Sequence, residues 1–285
     1  FRPSACIVPV WRCRYNPPSN RLLNTMQQPL HIIILAAGAG TRMKSRVPKV
    51  LHTVGGRAMI IHVLETAAQL SPAAMHVVVN PGHHEVRDAC AAFDITWAEQ
   101  AEQLGTGHAV LQALPAVPDD ADVLVLYGDT PLLEPGVLRA LVEAPSGGVK
   151  VLTMKVDNPS GYGRIVRDGD GYVTGIVEER DANAQQKSIR EVNTGIIMAS
   201  CGLLADCLAG MGSDNAQEEY YLTDVFAIAH HRGIVCTGIE APVAADLEGA
   251  NDRVQLAALE KRYRMKKTTE LMREGVQLAD PERVD

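Results

Sequence analysis

Apolar and polar positions follow two alternating rhythms along most of the chain. Ile32-Ile33-Ile34-Leu35 is a run of four apolar residues, three of them β-branched, and predicts a short strand buried on both faces of a parallel sheet. Residues 75–79, 122–127 (Asp-Val-Leu-Val-Leu-Tyr) and 150–156 repeat that signature. Between the first two runs, Met59, Ile60, Val63, Leu64, Ala67 and Leu70 recur at helical spacing, and residues 83–92 and 106–114 also read as helices. Strands alternating with helices predict right-handed crossovers and a mostly parallel sheet flanked by helices, with ligands bound at the carboxyl ends of the strands.

The middle of the chain changes character. Residues 163–166 and 172–178 are β-rich runs separated by Asp168-Gly169-Asp170-Gly171, a strong hairpin signal, and residues 193–200 add another strand. This predicts a smaller antiparallel β lobe laid over the main sheet. Residues 221–232 return to helix and 235–238 to strand. Residues 251–274 read as one long helix with Leu256, Leu259 and Tyr263 on one face and Lys261, Arg262, Arg264, Lys266 and Lys267 mostly on a solvated one. Residues 1–25 are rich in Pro, Arg and Asn, lack a sustained period and fail as a signal peptide. They read as a disordered extension or as sequence upstream of a start at Met26.

Composition narrows the class. The 285 residues suffice for a sizeable core, and 46% hydrophobic with 21% charged is ordinary for a soluble globular protein. A formal net charge of −7 argues against a general nucleic-acid binder. No apolar run approaches the roughly 20 residues needed for membrane insertion. The six cysteines (Cys6, Cys13, Cys90, Cys201, Cys207 and Cys236) form no Cys-x-x-Cys pair and read as reduced thiols of a cytoplasmic enzyme. The pairs His83-His84 and His230-His231 lack further ligands at metal spacing and read as surface or helix-end residues.

Candidate chemistry concentrates where the first strand ends. Ala36-Ala37-Gly38-Ala39-Gly40-Thr41 carries almost no side-chain bulk, so a ligand can lie against converging backbone N–H groups. Arg42, Lys44, Arg46 and Lys49 follow, with Pro48 fixing the backbone before Lys49. Cations beside a glycine turn on an acidic protein suggest a local polyanion site, most simply for a nucleoside triphosphate. The P-loop spacing is absent. The dinucleotide fingerprint fails too, because Met43 stands where a small residue is needed and Val77-Val78-Val79 runs into Asn80 rather than an acid.

Leu35-Ala36-Ala37-Gly38-Ala39-Gly40-Thr41-Arg42-Met43 followed by Pro48-Lys49-Val50-Leu51 resembles the signature of the sugar-1-phosphate nucleotidyltransferases. Five further words narrow the resemblance: Gln100-Ala101-Glu102-Gln103-Leu104-Gly105-Thr106-Gly107-His108-Ala109, Tyr127-Gly128-Asp129, Gly161-Tyr162-Gly163-Arg164, Glu191-Val192-Asn193-Thr194-Gly195 and Glu219-Tyr220-Tyr221-Leu222-Thr223-Asp224. Together they are similar to the uridylyltransferase half of the bacterial family of bifunctional N-acetylglucosamine-1-phosphate uridylyltransferases/glucosamine-1-phosphate acetyltransferases, from about residue 30 onward. The resemblance implies a Rossmann-like α/β fold of the nucleotide-diphospho-sugar transferase type. It divides the chain into the extension 1–25, a nucleotidyltransferase domain 26–250, and a helix and linker 251–285. In the family the helix leads to a left-handed β-helix that transfers acetyl groups and builds a homotrimer; that region would begin near residue 285.

The same resemblance implies roles. Leu35, Ala36, Ala37 and Gly38 would contact the nucleotide through backbone, Arg42 and Lys49 would bind the triphosphate and act in catalysis, and Gln100, Gly105 and Thr106 would read uracil. Asp129 and Asn251 would hold Mg²⁺, while Tyr127, Gly128, Asp129, Gly163, Glu178, Asn193 and Asn251 would bind the sugar phosphate. Alternatives stand beside some of these. Asp129 could cap a helix beginning after Pro131, Glu178 could be a surface strand residue, and Asn193 could shape a turn. Lys44 and Arg46 read as solvated. Asp252 stands where the family often has a second Asn.

The implied reaction joins UTP to N-acetylglucosamine-1-phosphate, giving UDP-N-acetylglucosamine for peptidoglycan and lipopolysaccharide synthesis. The sequence offers no convincing nucleophile–base pair, which agrees with direct attack by a phosphate oxygen. Two other readings remain: a nucleotidyltransferase for another sugar or base, and a non-catalytic nucleotide-sugar sensor.

Overall fold

A computed structural model describes residues 28–145, 147–213 and 215–284. The extension expected at 1–25, with Cys6 and Cys13, lies outside the described residues.

The chain opens with β1 (Leu30–Leu35), passes through single 3-10 turns at Thr41–Met43 and Lys49–Leu51, and forms a tight hairpin of β2 (Thr53–Val54) and β3 (Arg57–Ala58). Then follow α1 (Met59–Ala68), β4 (Ala74–Val79), α2 (His84–Ala89), β5 (Thr96–Glu99), α3 (Thr106–Ala113), β6 (Asp122–Tyr127), α4 (Pro135–Glu143) and β7 (Val149–Lys155). The second half holds β8 (Arg164–Arg167), β9 (Val173–Val177), α5 (Ala184–Lys187), β10 (Glu191–Ser200), α6 (Cys201–Leu208), α7 (Asp224–His231), β11 (Cys236–Glu240) and α8 (Arg253–Arg273).

The main sheet has the order β11-β7-β10-β6-β1-β4-β5. Every pairing along it is parallel except those of β10, which runs antiparallel between β6 and β7. Both faces are covered, which is why the strands read as continuous apolar runs. Ile32 and Ile34 pack with α1, α2 and α4 in one core layer, and Ile33 and Leu35 pack with α3, α6 and α7 in the other. Cys90, Cys201, Cys207 and Cys236 are buried thiols outside any disulfide, and His230 and His231 are exposed. Near the amino ends of β1 and β4, the buried rings of His31 and His76 stack, with His31 Nδ1 3.0 Å from His76 Nε2.

The antiparallel lobe is the β8–β9 hairpin, joined to the main sheet where Val192 of β10 pairs with Arg164. Its apolar side (Ile165, Val173, Ile176) closes on Phe226 and Val225 of α7.

Helix α8 packs Leu259, Leu256 and Tyr263 against Val54, Met59 and Leu132. The Gly55 N–H donates to Glu260 Oε2 at 2.7 Å, tying the β2–β3 turn to the same helix. The basic residues of α8 are not a uniformly solvated face. Arg262 pairs with Glu248 at 2.5 Å, and Lys266 pairs with Glu134 and, at 3.3 Å, with Asp246. The helix carries its cations on several faces, so some of them meet the acidic segments that precede α4 and α8.

Candidate active site

The carboxyl end of β1, which runs into the glycine loop, and the end of β6 leave the sheet side by side. Leu35 and Tyr127 are register partners, and Gly128 N–H donates to Leu35 O at 3.0 Å. Segments about ninety residues apart therefore line one cleft of about 460 Å³. On its floor the N–H groups of Ala37, Gly38, Ala39 and Gly40 donate to no protein acceptor among the described residues. Four free amides beside a 3-10 turn form an anion cradle. Arg42 stands exposed at the rim of the cleft. Lys44 and Arg46 are exposed and do not line it.

Lys49, half-buried at the start of the second 3-10 turn, crosses the cleft. Its Nζ lies 2.5 Å from Asp129 Oδ2 and 3.3 Å from Asn251 Oδ1. Asp129 caps no helix, because α4 begins six residues later at Pro135 with Glu134 before it. Asn251 is brought across by its neighbours: Ala250 N–H donates to Asp129 O at 3.3 Å and Asn251 N–H to Gln255 Oε1 at 2.7 Å. Asp252 is the N-cap of α8, its Oδ1 accepting Gln255 N–H at 2.8 Å. An acidic residue suits that position as well as an amide does.

The opposite wall is the loop after β5. Gln100 is buried, and its Nε2 donates to Gly105 O at 3.0 Å and lies 3.1 Å from His108 Nδ1. Gly105 has φ of +106°, and a Cβ there would stand 2.6 Å from Tyr220 O, so only glycine fits. The loop is stitched to the segment before α7 by Gly107 N–H to Tyr220 O and Tyr220 N–H to Leu104 O, both 2.8 Å, and by Leu222 N–H to Thr106 Oγ1 at 3.2 Å.

Gly163, Glu178 and Asn193 also converge, beside this cleft rather than within it. Asn193 N–H donates to Gly163 O at 2.8 Å, and a Cβ on Gly163 would lie 3.2 Å from Glu178 Oε1. Glu178 Oε1 accepts Thr223 Oγ1–H at 3.0 Å and lines a neighbouring hollow with Asp181, Tyr221 and Asp224. Burial holds the Glu178 carboxyl above its ordinary range, the Thr223 hydroxyl opposes the shift, and the charges of Asp224 and Asp181 add to it. Asn193 shapes a bulge rather than a turn: its Oδ1 accepts Gly195 N–H at 2.8 Å where the β10 register shifts. At φ +83°, Gly195 lets the Tyr127 ring lie against the backbone. Burial pushes the Tyr127 phenol far up, and the negative charges of Glu178 and Asp129 push it further. Tyr127 itself lines the first cleft.

The cleft also contains Gln103, Ala109, Val50 and Glu219, which carry no role in the sequence reading. Gln103 and Glu219 stand inside words noted above, and that placement is the signal that could have found them. His108 stands in such a word too, but its contact with Gln100 needs the folded loop.

A family profile described as a MobA-like NTP transferase domain matches residues 32–192. The chain is 50% identical over 260 residues to the bifunctional protein GlmU of Alkalilimnicola ehrlichii, covering 91% of this chain and 56% of that protein. It is 51% identical over 261 residues to the bifunctional protein GlmU of Xanthomonas axonopodis pv. citri, covering 91% and 57%. The chain spans about half the length of the curated relatives it matches. Among solved structures, one from Bacillus anthracis described as a glucose-1-phosphate thymidylyltransferase superposes with a TM-score of 0.64 at 20% identity, covering 90% of this chain and 100% of that one. A nucleotidyl transferase from Methanothermobacter gives a TM-score of 0.59 at 17% identity, covering 82% and 97%. These two likenesses establish the fold, and the match over residues 32–192 establishes the membership: the chain belongs to the MobA-like NTP transferase family.

Proposed function

We propose that this chain transfers the uridylyl group of UTP to N-acetylglucosamine-1-phosphate, forming UDP-N-acetylglucosamine and pyrophosphate. The observation that carries the reading is the meeting, in one cleft, of the free amides of 37–40, the Lys49–Asp129–Asn251 cluster and the Gln100–Gly105 wall. The roughly 50% identity to GlmU proteins over most of the chain supports the choice of base and sugar.

The α-phosphorus of UTP is attacked in line by a phosphate oxygen of the sugar phosphate, and the bond to pyrophosphate breaks. The nucleophile is already an anion, so no proton needs to be removed. The obstacles are repulsion between anions and charge growing on the leaving group, which fixed cations and dipoles relieve. In this reading the amides of 37–40 seat the triphosphate. Arg42 supplies a two-pronged guanidinium and Lys49 an ammonium where the leaving charge develops. Gln100 and Gly105 face the uracil. Tyr127, Gly163, Glu178 and Asn193 hold the N-acetylhexosamine.

The residues present fit magnesium. Asp129 Oδ2 and Asn251 Oδ1 point at one centre of positive charge, the Lys49 ammonium. A pair of hard oxygen donors is what an ion that keeps waters and phosphate oxygens requires. When bound there, magnesium would neutralise charge on the phosphates.

No helix among the described residues is long and apolar enough to cross a membrane, in keeping with a cytoplasmic enzyme supplying peptidoglycan and lipopolysaccharide precursors. We read residues 26–250 as the transferring unit and 251–285 as the helix and linker leading toward an acetyltransferase and trimer-forming region. The test is pyrophosphate release with UTP, N-acetylglucosamine-1-phosphate and Mg²⁺. Turnover with that pair well above glucose-1-phosphate or dTTP is expected, and equal or absent turnover rejects the reading.

A further inference from the structure

A carboxamide has two orientations that present opposite hydrogen-bonding ends to a ligand. At Gln100 two neighbours choose between them. Gly105 O lies 3.0 Å from one end of the amide and His108 Nδ1 lies 3.1 Å from that same end. A carbonyl oxygen has no proton to give, so the end facing Gly105 must be the NH₂ group; an oxygen there would set lone pairs against lone pairs. The second amide proton then points at His108 Nδ1, which must accept it. The imidazole proton is therefore on Nε2. Oε1 is left as the free end: no protein donor among the described residues reaches it, it is not sealed from solvent, and Gln100 lines the cleft.

The geometry points to His108 as the positioning residue that sets the base specificity of the cleft, by fixing the Gln100 amide so that an acceptor faces the base. The inference rests on the uridylyl reading above and deepens it. Uracil offers a donor, N3–H, where cytosine carries a bare nitrogen, so the fixed Oε1 accepts from one base and meets a lone pair on the other. A site built around a hydrogen bond rejects a ligand that leaves its group unpaired. Gly105 O alone anchors one amide proton. His108, at the third position of α3, holds the second and so ties the amide plane to a rigid helix.

The experiment compares kcat/KM for UTP and CTP, by pyrophosphate release with N-acetylglucosamine-1-phosphate, in the wild type, His108→Ala, His108→Asn, Gln100→Ala and the double variant H108A/Q100A. The UTP/CTP ratio is expected to fall about tenfold in His108→Ala, mostly through KM for UTP, as one hydrogen bond's worth of positioning is lost. His108→Asn, which can turn an oxygen acceptor toward Gln100, is expected to restore most of the ratio. In the Gln100→Ala background, removing His108 should change the ratio no further. An unchanged ratio in His108→Ala, or an equal further loss in the double variant, overturns the inference. ¹⁵N NMR of the wild-type imidazole decides it without any variant: a proton on Nε2 is expected, and a proton on Nδ1 at neutral pH overturns it. A wild type without uridylyl transfer would instead sink the proposed function, and the NMR tautomer would still decide the role of His108.

Discussion

Lys49 and Asp129 form an ion pair across the cleft, Nζ to Oδ2 at 2.5 Å, with Asn251 Oδ1 as a second acceptor of the ammonium at 3.3 Å. The cation proposed to stabilise the leaving group thus rests between the two oxygens proposed to hold the metal. If magnesium is held by Asp129 and Asn251 as proposed, the pair would have to separate, and Lys49 would be free to turn toward the phosphates.

Lys49→Met removes the ammonium and keeps most of the volume. We expect kcat to fall by about 10²–10³, as for loss of one preorganised charge at a developing anion. Binding of Mn²⁺ in the absence of nucleotide should tighten, because Asp129 and Asn251 lose their competing partner. Steady-state kinetics and metal titration by electron paramagnetic resonance measure the two effects. Weaker metal binding in the variant would contradict the competition.

Asp129→Ala should abolish turnover while UTP binding survives, since the amide cradle of 37–40 and the Gln100 wall are untouched. A loss of about 10³ or more in kcat is expected where a charge that organises the phosphates is removed. Calorimetric titration of UTP beside the kinetic assay separates an enzyme from a nucleotide sensor. Unchanged turnover would remove Asp129 from the mechanism.

Gly105→Ala would place a methyl 2.6 Å from Tyr220 O at a φ of +106°. The loop must shift, carrying Gln100's acceptor with it. We expect a stability loss of about 1–3 kcal/mol and a rise in KM for UTP larger than any change in kcat. Urea unfolding and initial rates test both. Wild-type stability would mean the loop is free of the Tyr220 segment.

The His31–His76 pair predicts an acid-sensitive fold. Burial, and then the charge of His31, lowers the pKa of His76 from 6.5 to about 4. The unfolded chain therefore binds a proton that the folded chain refuses, so this contribution is intact above pH 6.5 and is lost as pH falls toward 4. The whole window is worth roughly 3 kcal/mol. In His76→Leu the fall in stability between those pH values should be shallower than in the wild type. Parallel slopes for the two proteins would contradict it.

The strands β1, β4, β6 and β7 were legible because burial on both faces leaves an uninterrupted apolar run, and the glycine loop because backbone exposure leaves only small residues. Edge strand β5 reads Thr-Trp-Ala-Glu with no residue fully buried, so it carries no comparable run. Helix α6 is too uniformly apolar to show a face, and α4 buries only Leu138 and Leu141. On the candidate site, proximity in sequence decided what the residues alone could show, while Gln100 and Asn251 were reached only through the resemblance of the words around them. Arg42 and Lys49 follow the loop they serve, whereas Glu219 reaches the same cleft from a segment more than a hundred residues after Gln103. The ion pairs of α8 depend on segments folded against it, and a run of basic letters says nothing about them.

The reversed strand β10 has a consequence for synthesis. It lies between β6 and β7, touching both, and β6 and β7 do not pair with each other. While the polypeptide emerges from the ribosome, β1, β4, β5 and β6 can assemble, but β7 has no inner neighbour until residues 191–200 arrive. The 35 residues between β7 and β10, the β8–β9 hairpin among them, must wait as a nascent loop before the sheet closes through its middle. Strand pairing over such separations is slow and exposes apolar edges meanwhile. Chaperones would find their opportunity in that interval.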